Sequence, residues 1–355
     1  MALNYGSDKK RAVQAKFDAQ KIAFAPIMFQ AARALRNLGI LGLLKNTETG
    51  MTMIQVSESL HLPLYGVKVL LEAGLSLELV WVEDDRFHLT KTGWFIERDD
   101  LTRVNMDFTH DVNYLGMFSL TESIKTGLPT GLKVFGDWPT VYEGLSQLPS
   151  QVQKSWFGFD HFYSDYAFPE LMPVIFRNNP RLILDVGGNT GKFAIKCAGY
   201  NPEVKVTILD LPGQLAKAET NLLAAGLSDR VSLFPIDLLD HSRPFPKSAD
   251  IIWMSQFLDC FSQQDILGLL TRSAEAMHGD SSLYILETYW DKQQYEASTY
   301  SLHATSLYFT NIANGCSQMY HSDDMRKLIT RAGLILTEEI ENVGVSHTLF
   351  ICRGK

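Results

Sequence analysis

Two patterns of apolar and polar positions divide the chain near residue 180. Beyond it, short apolar runs alternate with amphipathic stretches at helical spacing. Leu182, Ile183 and Leu184 form a run expected of a strand buried on both faces, and Asp185 ends it. Gly187, Gly188 and Gly191 follow in a tight loop, and residues 192–200 read as a helix. Val206, Ile208 and Leu209 predict a second strand ending at Asp210, and residues 230–240 a third with Asp237 just past it. Residues 251–254 and 283–286 predict a fourth and a fifth strand, separated by a helix over 263–277 that Gly279 stops. After a long connection over 289–317, Ser322 is the expected cap of a helix with Asp323 and Asp324 in its first turn and Gly333 at its end. A terminal hairpin closes the chain. This alternation predicts an α/β domain with a mainly parallel sheet.

The first half has a different rhythm. Residues up to about 20 read as a polar helix or arm. Residues 22–44 form one long helical pattern, with Phe24, Ile27, Met28, Ala31, Leu35 and Leu38 on one side and Gly39 and Gly42 loosening its end. A short helix over 52–60 takes Thr52 as its cap, and Pro63 opens another through about Leu79. Two strands then flank an acidic turn, Glu83 to Asp85. Three helices and a hairpin follow the order of a winged helix. Residues 105–179 are rich in aromatics and read as helical, with breaks at 127–129, 136–139 and Pro149. Phe157, Phe159, His161, Phe162, Tyr163 and Tyr166 crowd one segment there, as core or as the roof of a pocket for a flat ligand. The expected domains are 1–103, a winged-helix-like unit; 104–179, a helical, pocket-forming linker; and 180–355, the α/β domain.

Charge narrows the choice for the first domain. Residues 1–100 hold twelve Lys or Arg and twelve Asp or Glu, and Lys68 is the one basic residue of the recognition-type helix. A reader of DNA normally presents a basic face, so this winged helix is expected to dimerise and not to bind nucleic acid specifically. A net charge of -8 over the whole chain points the same way. The four cysteines are scattered without metal-ligand or redox spacing, as in free thiols of a reducing compartment. Neither a signal-peptide core nor an apolar run of membrane-spanning length is evident, so a cytoplasmic protein without membrane contact or resident metal is expected.

The glycine loop separates classes of nucleotide ligand. A dinucleotide fingerprint needs Gly at the first, third and sixth loop positions, whereas counting from Gly187 gives Asn189 third and Lys192 sixth. A carboxylate at the strand tip, Asp185, suits an ammonium better than a pyrophosphate. Asp210, at the second tip, is placed to accept from both ribose hydroxyls. Each acid alone reads as a cap or a turn, but three follow three strands in register. Strand, acid and Gly-x-x-x-Gly resemble the first motif of class I methyltransferases that use S-adenosylmethionine.

With LDVGGNTG and ILDLP, residues from about 24 to 352 resemble the small-molecule S-adenosylmethionine-dependent O-methyltransferases of plant caffeate and isoflavone type and of bacterial polyketide tailoring. The resemblance implies a Rossmann-like seven-stranded sheet with a C-terminal antiparallel hairpin behind a winged-helix dimerisation domain. It also implies an intertwined homodimer and a small-molecule acceptor. By resemblance, Gly187, Asp210, Asp237 and Leu238 contact the cofactor. The candidate cofactor set adds Asp185, Gly188, Gly191, Leu211 and, after the fourth strand, Ser255. Candidates for the acceptor pocket are Phe159, His161 and Phe162 from the aromatic segment and His303, Tyr308 and Asn311 from the long connection.

One departure bears on chemistry. The family's catalytic wording, Leu-His-Asp-Trp-Ser, aligns here with Leu258, Asp259, Cys260, Phe261 and Ser262, so Asp259 stands at the general-base histidine. Glu287 matches the acid that flanks this histidine. Met319 stands where plant members carry a further glutamate, and Gln256 where a basic residue is common. A phenol ionises near about 10, a histidine near about 6.5 and an aspartate near about 3.9, so aspartate is a weak base unless burial raises it. Asp259 is therefore a burial-tuned base, a bystander to proximity catalysis, or the mark of a protein that binds cofactor without methylating. It also reads as a helix cap ahead of 261–264. The expected function is methyl transfer to an aromatic or conjugated hydroxylated metabolite, with Asp259 and Glu287 as the catalytic pair. A degenerate cofactor-binding scaffold and a ligand-binding winged-helix regulator are the alternatives.

Overall fold

A left-handed glycine interrupts the first long helical pattern. The computed structural model describes residues 7–355, so the first six residues of the polar arm lie outside it. Helix α1 (Ala12–Asn37) takes in much of the arm, and α2 (Ile40–Lys45) is separate. This corrects the single helix expected over 22–44: Gly39 adopts φ +81°, which a helix cannot contain. Thr52 caps α3 (Met53–Leu60) in a reciprocal capping box, its hydroxyl accepting from the Gln55 N–H while the Gln55 side chain accepts from the Thr52 N–H. α4 (Leu64–Ser76) leads into antiparallel β1 (Val80–Glu83) and β2 (Arg86–Leu89), turning on left-handed Asp84 and Asp85. Met51 bridges to Phe87 beside this hairpin, completing the winged-helix order, and α5 (Lys91–Arg98) and α6 (Asp100–Phe108) follow. Leu35, Leu41, Val56, Leu71 and Phe87 fill the core of this unit, which ends at His110.

The second compact unit runs from Asp111 to Lys355, so the aromatic stretch expected as a linker is part of it. It opens with α7 (Leu120–Thr126), α8 (Val141–Gly144) and α9 (Ser150–Ile175). Then come β3 (Leu182–Val186), α10 (Lys192–Tyr200), β4 (Lys205–Asp210), α11 (Pro212–Ala224), β5 (Val231–Pro235) and β6 (Ile251–Ser255). α12 (Gln263–Ala276), β7 (Ser282–Glu287), α13 (Glu296–Tyr308), α14 (Ser322–Arg331), β8 (Leu334–Val343) and β9 (His347–Gly354) complete it. The seven-stranded sheet has the order β5-β4-β3-β6-β7-β9-β8. β3 to β7 are parallel, while β9 runs antiparallel to both β7 and β8. This is the class I methyltransferase layout.

Alternation along the buried strands loads both faces. Ile183, Val206, Ile208 and Trp253 pack with α9, α10 and α11, whereas Leu184, Val186, Ile252 and Met254 pack with α12 and α14. Trp253 is fully buried and stacks on Phe193 of α10, with ring centroids 4.2 Å apart. At α14 the expected cap is corrected. The His321 ring nitrogen accepts from the Asp323 N–H, while the Ser322 N–H and hydroxyl both donate to Asp291, at 2.7 and 2.6 Å. A distant carboxylate captures the serine, and its neighbour takes over the cap. No described helix is long and apolar enough to cross a membrane.

Candidate active site

The C-terminal edge of the parallel strands carries the glycine loop. Gly187 adopts φ +74° and its N–H donates to the Leu209 carbonyl at 2.8 Å, tying the loop to β4. A Cβ on Gly188 would lie 2.5 Å from Asp185 Oδ2, so the backbone there lies close over that carboxyl group. Asn189 also sits at positive φ (+49°), a conformation asparagine tolerates. Its N–H donates to Asp210 Oδ2 at 2.8 Å, and the Leu211 N–H donates to Oδ1 at 2.7 Å. The second acid thus holds the first loop in place. Gly191, at φ +79°, precedes α10 and faces Ile208.

Several polar atoms along this edge are buried and make no hydrogen bond among the described residues: Asp185 Oδ2, Asn189 Oδ1, Gln214 Oε1 and Ser255 Oγ. Unpaired buried polar atoms are rare, and the carboxyl edge of such a sheet is where ligands bind. Burial, with Asp210 adding repulsion, pushes the Asp185 carboxyl up to about 8. Burial also raises Asp210, opposed by its two backbone donors. A ligand with an ammonium and sugar hydroxyls fits this donor-poor, acceptor-rich cradle. Asp237 is exposed and accepts from the Leu239 N–H, so it also serves as the turn its isolated position suggested. Leu211 is half exposed, but the Leu238 side chain lies in the core. The Leu238 carbonyl accepts from Arg272.

The catalytic candidates converge past β6. Gln256 takes φ +46° and turns the chain into a short helical turn, Leu258–Cys260. From the end of β7, Glu287 Oε1 accepts the Phe257 and Leu258 N–H groups at 2.9 and 2.8 Å. Asp259 is therefore not a helix cap; Ser262 caps α12 by accepting from the Asp265 N–H. Burial pushes the Asp259 carboxyl up to about 7, opposed by the Cys260 thiol that donates to its Oδ1 (3.5 Å) and helped by Asp160 of α9. Burial and Asp259 together raise Glu287 well above the carboxylate range, as two neighbouring buried acids cannot both ionise readily. Glu287→Ala will strand two buried N–H groups and destabilise the fold by about 2–4 kcal/mol in urea titrations. Glu287→Gln keeps the acceptor oxygen and should recover most of that. Equal losses in the two variants would show that the clamp is not what Glu287 provides.

The structure brings some acceptor candidates to this turn and removes others. Tyr308 is buried, accepts from the Trp156 indole N–H at 2.7 Å, and lies in the electrostatic reach of Cys260, Asp160 and Asp259. Phe159, His161 and Phe162 are half-buried on α9; Phe159 and Phe162 both pack against the Tyr163 ring, and His161 packs against Phe157. His303 is exposed on α13, with its ring against Trp290. Asn311 is fully buried, but its amide is committed: its oxygen accepts from Ser123 and its nitrogen donates to the Gly116 carbonyl. It clips the helical segments together and does not line a pocket. Asp160 and Tyr142 face Asp259 without having been singled out in the sequence; only their position beside aromatic, broken helices hinted at it. Among the described residues, no cluster of His, Cys, Asp and Glu is arranged to hold a metal.

Comparison with known proteins agrees with this layout. Residues 16–87 match the Dimerisation2-like domain and residues 174–335 the O-methyltransferase domain. L-tyrosine C(3)-methyltransferase of Streptomyces lavendulae is 26% identical over 316 residues, 88% of this chain and 85% of that protein. Phenazine-1-carboxylate N-methyltransferase of Pseudomonas aeruginosa is 28% identical over 166 residues, 47% of each chain. The crystal structure of the S-adenosylmethionine-dependent methyltransferase SibL in its apo form superposes with a TM-score of 0.73 at 22% identity, covering 94% of this chain and 98% of that one. Fold and site define a two-domain methyltransferase that uses S-adenosylmethionine on a small molecule. The chain carries the O-methyltransferase domain that its motifs resembled, together with a Dimerisation2-like domain.

Proposed function

We propose that the protein methylates a hydroxylated aromatic small molecule on oxygen, with Asp259 as the base that takes the hydroxyl proton. The main support is the Asp259 carboxyl itself, buried on a clamped turn and raised into the range where it can take a proton and return it to solvent near neutral pH. When bound, S-adenosylmethionine supplies an electrophilic methyl group. Asp185 would face its ammonium, Asp210 its ribose hydroxyls and Asp237 its adenine side. Gly187, Gly188 and Gly191 give the backbone close approach, and Ser255 offers a hydroxyl from the β6 end. Phe159, Phe162 and Tyr308 would enclose a flat acceptor and exclude water, which sharpens every charge interaction inside.

A second reading places the methyl group on the ring carbon beside the hydroxyl, favoured by the C-methylating relative that spans most of the chain. The same proton removal activates either atom. The test is incubation with deuterated-methyl cofactor and a panel of hydroxylated aromatics, read by mass spectrometry and NMR. A methyl ether supports the first reading and a ring methyl the second. Cofactor binding without transfer to any acceptor would return the protein to the degenerate-scaffold alternative.

Homodimerisation through the first unit is part of this reading. Its support is the Dimerisation2-like match together with Val13, Ile22, Phe24 and Ile27, all more than half exposed on α1 of the single chain. Light scattering at micromolar concentration should give about twice the 40.0 kDa chain mass, and a monomer would overturn it.

A further inference from the structure

We infer that Tyr142 is a catalytic residue whose hydroxyl donates a hydrogen bond to the acceptor's oxygen as Asp259 removes the proton. This rests on the phenolic-acceptor reading and adds the group that stabilises the ionised oxygen. Tyr142 lies on α8, a single turn that packing holds in place. Val141 and Leu145 on either side are buried. Trp138 covers Gly144 and Gly136 so closely that a Cβ at either would lie 2.4 Å from its ring. The tyrosine ring is therefore carried on a fixed support, as a group that orients a substrate must be.

Its hydroxyl is buried beside the Cys260 thiol, at most a weak hydrogen-bond partner, and has no well-formed hydrogen bond among the described residues. The groups around it are engaged elsewhere. The Cys260 thiol donates to Asp259, and the Cys260 carbonyl accepts from Asn314 at 2.6 Å. The Tyr308 hydroxyl accepts from Trp156. Tyr142 faces Cys260, Tyr308 and Asp259, and this burial among acceptors raises its own ionisation well above the ordinary value, so it stays a neutral donor. An oxygen that becomes negative here lies beside Asp259, neutral once it has taken the proton, and Glu287, which burial holds protonated, and neither offsets its charge. A neutral O–H aimed at it supplies what they cannot. Asp259 takes the proton, and the electron pair stays on the acceptor's oxygen, shared with the Tyr142 O–H. If the ring carbon is methylated instead, the same bond holds the oxygen aside.

The test uses 4-nitrophenol, which changes colour on ionisation, bound to the full-length protein saturated with S-adenosylhomocysteine. Wild-type protein should ionise the bound probe at lower pH than in solution. Tyr142→Phe should raise the bound probe's pKa by about 1–2 units, the scale of a hydrogen bond to a charged group, with S-adenosylhomocysteine affinity unchanged within about twofold. Its thermal midpoint should stay level or rise, since the buried hydroxyl has no well-formed hydrogen bond in the free protein. An unchanged bound-probe pKa in the variant, or a marked loss of thermal stability, overturns the Tyr142 role while leaving the phenolic reading intact. If wild-type protein does not bind the probe at all, the phenolic-acceptor reading itself fails and this role goes with it.

Discussion

Replacing Asp185 by asparagine will weaken S-adenosylmethionine binding on the order of 30-fold or more and, at pH 8, make the cofactor-free protein more stable. Both effects come from one buried oxygen without a partner. A carboxyl group at about 3.8 in the unfolded chain and about 8 in the fold prefers to be protonated when folded. Its burden is absent below the unfolded value, grows as pH rises between the two, and is complete above the folded one. At pH 7 that is roughly 3 units, or about 4 kcal/mol. Asparagine escapes the burden but buries an unpaired amide, at about 1–3 kcal/mol, so a gain of about 2 kcal/mol is expected. Removing one member of a buried charge pair costs about 2–5 kcal/mol in binding, which sets the affinity loss. Because the free carboxyl is largely protonated at pH 7, binding of an ammonium-bearing ligand should also release a proton. Calorimetry in buffers of different ionisation enthalpy measures this. Unchanged affinity with no proton release would remove Asp185 from the site.

The legible parts of the fold were those in which one residue type has one physical use. An apolar run such as Leu182–Val186 is buried on both faces by any parallel sheet, and a glycine at positive φ has few substitutes. The three strands and the acids that follow them were therefore readable in order. What escaped depends on contacts distant in sequence. Ser322 has the composition of a cap, but Asp291 claims its N–H and hydroxyl from across the fold. Asn311 and His303 lie on one helical stretch and meet opposite fates, one clipped to Gly116 and the other exposed. Sequence spacing places both near the site and cannot say which way each faces. Tyr142 carries no motif at all; its importance comes from what surrounds its hydroxyl.

Asp259→Asn should lower kcat/KM for the acceptor by roughly 10²–10⁴-fold while leaving S-adenosylhomocysteine affinity nearly unchanged. The working form of the base is the ionised carboxyl, held up to about 7 by burial. In wild-type protein kcat/KM should therefore fall about tenfold per unit as pH drops below 7, and level off above it. The asparagine variant should lose that limb and show a flat profile. This separates base catalysis from mere alignment: if proximity dominates, the substitution will cost less than about tenfold and the acid limb will survive. Asp259→His restores the residue that related motifs carry at this turn, on the segment that Glu287 clamps through Phe257 and Leu258, and it puts a larger ring in a buried place. A rate gain on a phenolic acceptor would mean that the aspartate is a weakened substitute. A loss, with the wild type already fast, would mean that Asp259, Tyr142 and the acids around them form a site built for an acceptor the histidine enzymes do not serve.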